Sequence, residues 1–158
     1  MTPFYFYDTD LTDKMELDIA GEAYFTLMKT CFRNCDRVAF RLTTSCDLPE
    51  AALVPLPETA REAYRSHYSE QSIVQQACCF YLTSEVQTYL MKRADSLFAW
   101  NGYADNNPED PVFLRPDDTV FLSTLIHEGA CILMPREAEN VQPILSSALW
   151  TEKKRRRY

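Results

Sequence analysis

Residues 100–134 read WNGYADNNPEDPVFLRPDDTVFLSTLIHEGACILM, and the turns inside this run set the architecture around it. Residues 112–115 and 119–126 are apolar and β-branched segments separated by Pro116-Asp117-Asp118, a turn in which proline presets the first central position. His127-Glu128-Gly129 makes the next reversal, and residues 130–134 return as a third strand. Connections this short join antiparallel neighbours, so the run predicts a three-stranded meander. Ahead of it, Gly102, Asp105, Asn106, Asn107, Pro108 and Pro111 make residues 101–111 a loop by composition.

Towards the N-terminus, helices alternate with strands. Residues 17–33 carry Leu17, Ala20, Tyr24, Leu27, Met28, Cys31 and Phe32 at helical spacing, with Gly21 inside the pattern and Asn34 as a stop. Residues 37–42 alternate, with Val38, Phe40 and Leu42 on one side and Arg37, Ala39 and Arg41 on the other, which predicts a strand with one wet face. Pro49, Pro55 and Pro57 make residues 48–57 a connection. Residues 58–67 follow as a helix with a thin apolar face, Ala60, Ala63 and Tyr64, expected at the surface. A buried strand is expected over residues 73–82. A helix capped by Ser84 is expected to run to Phe98, and a terminal helix, broken at Pro143, covers residues 135–150. Residues 4–7, FYFY, read as an edge strand or a packed arm.

Together these elements predict an α+β fold: an antiparallel sheet of about five strands that includes the C-terminal meander, with helices packed mainly on one face. The chain has 158 residues, 46% of them apolar, enough for one globular domain over residues 1–152 followed by a basic tail, 153–158. No apolar run is long enough to span a bilayer, and the aromatic N-terminus lacks the basic start of a secretory signal, so a soluble, cytoplasmic protein is expected. Six cysteines with no export signal read as reduced thiols.

The net charge is −7, but five basic side chains crowd into positions 153–157. The remaining body carries 11 basic and 23 acidic side chains, a balance of −12. Such a body repels nucleic acid and attracts basic proteins. Three glycines and no phosphate-binding motif disfavour nucleotide binding.

Pro108-Glu109-Asp110-Pro111 admits two readings, a pair of carboxylates set to bind a cation or a basic side chain, or a rigid loop end whose acid accepts backbone N–H groups. His127-Glu128 opens like a zinc-protease motif, but Cys131 stands where the second histidine belongs and the run lies on a hairpin. A general base formed by His127 with Glu128 or a nearby carboxylate stays open beside a turn histidine satisfied by backbone. Cys31 and Cys35 could join Cys46 or His67 around zinc, or simply pack. Neither a metal nor a cofactor is expected. Trp100, Tyr103, Asp105, Glu109 and Asp110 form the candidate partner-binding set, aromatics as anchors and carboxylates as steering charges, with Trp100 as core the competing reading.

The run PEDPVFLRPDDTVFLSTLIHEGACIL resembles the C-terminal part of small bacterial single-domain proteins with a proline, acid, strand, Asp turn, strand, His-Glu-Gly order. The resemblance implies a bacterial single-domain protein and assigns no catalytic residue. The leading expectation is an acidic protein that binds another, basic, protein in the manner of small inhibitor or immunity proteins. The alternatives are a small enzyme using His127, and a structural protein that self-associates into a homo-oligomer through residues 4–7.

Overall fold

The meander forms where the turn residues put it. β5 (Glu109–Leu114), β6 (Val120–Leu125) and β7 (Ala130–Leu133) are consecutive antiparallel strands. At the first reversal Asp118 sits at φ +71, a conformation aspartate tolerates, and Asp117 Oδ1 accepts the Thr119 N–H at 3.1 Å. The second is a 3-10 turn, Ile126–Glu128, closed by Gly129 at φ +64, where a side chain would collide with the Asp8 carboxylate. The structure, a computed structural model, describes residues 2–9, 15–43, 46–65 and 67–155.

Four more strands extend the meander on both sides. β1 (Phe4–Tyr7) pairs with β7, and β2 (Arg37–Arg41) pairs with β5. β3 (Leu53–Val54) and β4 (Ala77–Tyr81) complete a seven-stranded antiparallel sheet in the order β1-β7-β6-β5-β2-β4-β3. The expectation of about five strands falls short by the two-residue β3, hidden among prolines, and by residues 4–7, read as an edge strand or a packed arm, which pair with β7 as β1. The outer edge of β1 is occupied, because Tyr5 exchanges both backbone hydrogen bonds with Thr151. Farther along the C-terminal segment the Arg155 N–H donates to Tyr7 Oη, and its guanidinium lies over the Tyr7 ring.

Helices cover both faces of the sheet. α1 (Glu22–Asn34) and α4 (Ser84–Arg93), with the short α5 (Gln142–Leu145), belong with the larger core, which takes Val38 and Phe40 from β2 and Cys78 and Phe80 from β4. α2 (Glu58–Arg65) and α3 (Glu70–Gln76) contribute Ala60, Tyr64 and Ile73 to a second cluster with Ala39, Cys79, Val112 and Leu114, the residues of the opposite pleat. The one-sided packing expected from sequence is therefore corrected. The thin face of α2 is buried, since Ala60 and Tyr64 lie one helical turn apart and both are fully covered. The supposed wet side of β2 is covered as well, and Arg41 is buried there.

The bounds of four elements also move. α1 starts at Glu22 rather than at residue 17, because Gly21 adopts φ +61, outside the helical region. Residues 73–76 are helical, since Ser69 caps α3 by accepting the Ser72 N–H, and the strand begins only at Ala77. α4 is capped by Thr83 rather than Ser84 and ends at Arg93. After Pro135 only Gln142–Leu145 is α-helical. No helix among the described residues is long and apolar enough to cross a membrane.

Trp100 is the largest wholly buried side chain. Its Nε1–H donates to Tyr24 Oη at 3.0 Å, and that hydroxyl donates to the Leu90 carbonyl at 2.6 Å. Its ring packs against Phe40 and Tyr89. Burying an aromatic of this size contributes about 2–3 kcal/mol, and the two bonded polar hydrogens remove the penalty of taking them out of water.

Candidate functional site

Pro108-Glu109-Asp110-Pro111 leads into β5 beside the β2 residue Arg41, and both carboxylates turn inwards. Glu109 Oε1 accepts from Arg41 Nε at 3.2 Å, with side chains only 9% and 7% exposed, and its Oε2 lies 2.8 Å from His127 Nε2. One buried carboxylate thus joins an arginine of β2 to the imidazole of the hairpin turn. The Arg41 guanidinium also lies 3.4 Å over the Tyr68 ring, where the cation meets the negative face of the aromatic.

Asp110 is wholly buried at φ +54. Its Oδ1 accepts the Ile126 N–H at 2.8 Å, its Oδ2 accepts the Tyr68 hydroxyl at 2.5 Å, and its carbonyl accepts the Tyr64 hydroxyl at 2.8 Å. Burial pushes this carboxyl above its usual range, against the lowering effect of the two donors. Tyr68 is likewise pushed up, by burial and then by its bond to Asp110. His67, next to Tyr68, places Nδ1 2.7 Å from Glu128 Oε1. Both histidines of the chain therefore contact carboxylates around one turn, His127 reaching to Glu109 and Glu128 reaching to His67.

Residues 101–107 form a closed loop above this cluster. Its ends are joined by the Asn101–Glu109 bridge and by the Asp110 N–H donating to the Trp100 carbonyl at 3.3 Å. Asn101 Oδ1 accepts the N–H groups of Tyr103 and Ala104, each at 2.9 Å. From α4, Arg93 donates to Asn107 Oδ1 at 2.9 Å and to the Asp105 carbonyl, while the Asp47 N–H donates to the Asn106 carbonyl. Gly102 holds φ +82 where a Cβ would come within 2.8 Å of Thr43 Cγ2, and Asp105 and Asn106 both have positive φ. A backbone held in sparsely populated conformations by this many contacts is preorganised. At its tip Tyr103 is 78% exposed, packed edge-on against the His127 ring with centroids 5.6 Å apart.

The residues expected to bind a partner thus separate. Tyr103 and Asp105 reach the surface, whereas Trp100 is core and Glu109 and Asp110 are buried in the ion-pair cluster. Glu109 engages a basic side chain, but one of its own chain, and Asp110 accepts a backbone N–H, as the rigid-loop reading has it. His127 meets Glu109 rather than Glu128, from a different strand. Tyr68 was not among the expected site residues, His67 entered only as a possible zinc ligand, and Arg41 was expected on a wet strand face rather than in a buried ion pair. The available signal was a basic residue, Arg41, closing β2 opposite the acid Glu109 that opens β5.

Five of the six cysteines are buried. Burial pushes Cys35 and Cys78 up to about 12 and Cys79 to about 11, and Cys31 well above its ordinary value. Cys78 and Cys79 face opposite sides of the sheet as alternation requires, and both are covered because both faces carry helices. Among the described residues no three His, Cys, Asp or Glu side chains are grouped to hold a metal ion. Cys31 lies in the larger core, while His67 belongs to the cluster beside α2 and α3.

Comparison with protein-family models, with curated proteins and with solved structures gives no match for this chain.

Proposed function

We propose that this chain is a bacterial, cytoplasmic protein-recognition module, an acidic inhibitor or immunity-like protein that binds a basic partner through the loop of residues 101–107. The observation that carries this reading is Tyr103, an aromatic left 78% exposed at the tip of a loop whose backbone is pinned from three sides. A rigid aromatic gives contact area with little entropy lost on binding, and preorganised loops bind more tightly for the same area. Asp105 beside it and the −12 balance of the body supply the steering charge. In this account the Arg41–Glu109–His127 chain is the footing that fixes the turn on which Tyr103 rests.

The test uses the tagged full chain and a Tyr103→Ala/Asp105→Lys variant, each incubated with extract of the native host at low and high salt. A basic protein retained by the wild type at low salt and lost by the variant is expected. Equal retention by both would overturn the reading.

A second reading has one distance in its favour. His127 Nε2 lies 2.8 Å from a buried carboxylate that Arg41 keeps paired, an arrangement that orients an imidazole for general-base work through its other nitrogen. It expects hydrolysis of p-nitrophenyl esters that falls by about 100-fold or more in His127→Ala. Identical rates for the two proteins would end it. Self-association through residues 4–7 lacks comparable support, since Thr151 occupies the edge it would use.

A further inference from the structure

The sheet edge at β3 differs from the edge at β1. Nothing among the described residues pairs with its outer side, and it exposes large apolar side chains, Leu53 at 63% and, just before it, Leu48 at 37%. Leu53 stands opposite Phe80 in the register, so it points to the face that carries α4. Beside it, the exposed side of α4 and the segment around Pro49 enclose an open groove of about 460 Å³, lined by Leu48, Pro49, Glu85, Thr88 and Tyr89 and flanked by Glu50 and Lys92. An exposed Leu48 in a mostly apolar groove, with Leu53 exposed on the same sheet face, is the kind of apolar surface that marks interaction sites.

Its charge is also set. Glu50 and Glu85 have no ion-pair partner among the described residues, and hydrogen bonds at the α4 N-terminus, its own backbone first and then Thr83 and Ser84, hold the Glu85 carboxyl below its usual range. Lys92 is the single basic residue of the lining. Backbone pairing is not how this edge would be used. β3 has two residues and lies between Pro49 and Pro55, features that discourage strand addition. Binding here must run through side chains.

The groove is continuous with the recognition loop. The Tyr89 hydroxyl, on the groove wall, donates to the Asp47 carbonyl at 2.6 Å, and Asp47 in turn binds Asn106 through its N–H and Arg93 through its carboxylate. Groove and loop are therefore linked through Asp47.

We propose that the groove between α4 and residues 47–50 is a docking site for a basic amphipathic segment of the partner protein, apolar side chains against Leu48, Tyr89 and Leu53 and lysine or arginine on Glu50 and Glu85. This rests on the protein-binding reading and adds to it the chemistry of the partner and a second contact, on the far side of Asp47 from Tyr103.

The isotope-labelled full chain, titrated with a synthetic peptide of alternating lysine and leucine and followed by NMR, tests it. Saturable shifts at Leu48, Thr88 and Lys92 are expected, absent with a glutamate–leucine peptide and with a lysine–serine peptide. Glu50→Lys/Glu85→Gln, which changes exposed side chains and keeps a capping amide at position 85, should weaken binding by about tenfold. Tyr103→Ala should leave the peptide's affinity unchanged, so the groove and the loop reading can fail separately. Absence of saturable shifts in the groove, equal shifts with the glutamate–leucine peptide, or an unchanged affinity in the charge variant would overturn the proposal.

Discussion

Replacing Arg41 by methionine isolates the interaction on which the turn is built. Methionine keeps much of the buried hydrocarbon length and removes the Nε bond to Glu109, the cation over the Tyr68 ring and the two long contacts, each 3.5 Å, to Ser72 and Gln76. Breaking one partner of a buried ion pair is destabilising by about 3–5 kcal/mol, because the other charge is left in a poor solvent. Glu109 retains His127 at 2.8 Å, which places this case at the lower end, about 3 kcal/mol. For a domain of this size that corresponds to a fall in Tm of roughly 6–12 °C. Urea unfolding followed by the fluorescence of buried Trp100 measures it. The diagnostic protein is Arg41→Met/Glu109→Met. With both charges gone nothing is stranded, and His127, 45% exposed, returns to water, so the double variant should recover most of the loss. If the double variant is less stable than the single one, with the two losses adding, the pair does not act as a unit and the reasoning fails.

Two further perturbations bear on the same cluster and its surroundings. Asp110 has its carboxyl raised by burial, so the native state holds its proton where the unfolded chain has already released it; stability from this group therefore declines as pH rises out of the ordinary carboxylate range towards the folded value. Asp110→Asn retains an acceptor for Ile126 and gains a donor for Tyr68, and should flatten that decline in urea unfolding followed upward from the ordinary carboxylate range; an unchanged profile would contradict the burial argument. Among the thiols, Cys46 is the one only half-buried, so Ellman's reagent should label it first in the native protein while the five buried thiols wait for unfolding. Early labelling of Cys78 or Cys35 would refute this.

The meander was legible because its signals are local. Pro116-Asp117-Asp118 and Gly129 act within four residues of the turns they make, and strand alternation is visible in the sequence on either side. The second helical layer was not, because α2 shows only Ala60, Ala63 and Tyr64 as apolar contacts at helical spacing and periodicity cannot tell which sheet face a helix will cover. Residues 73–76 misled for the opposite reason: Ile73 suits a strand, and the Ser69 cap that commits the segment to helix lies four residues earlier. Of the candidate site, the exposed half was readable, Tyr103 and Asp105 in a glycine- and asparagine-rich loop. The buried half depends on partners far apart in the chain, Arg41 with Glu109 and Tyr68 with Asp110, and no spacing rule connects them. Trp100 shows the limit most plainly, since an aromatic beside an acidic loop serves a core or a surface equally well until Tyr24 is seen to meet its indole.

The role assigned to Tyr103 is open to one direct measurement. A photo-crosslinking amino acid is placed at position 103 and, separately, at Leu149, which is 65% exposed and whose neighbour Trp150 packs on Phe6 of the edge strand β1, and both proteins are irradiated in the native host. Recognition through the 101–107 loop predicts a discrete adduct with one basic protein from position 103 and none from position 149. No adduct from position 103, or the same adducts from both positions, would contradict it.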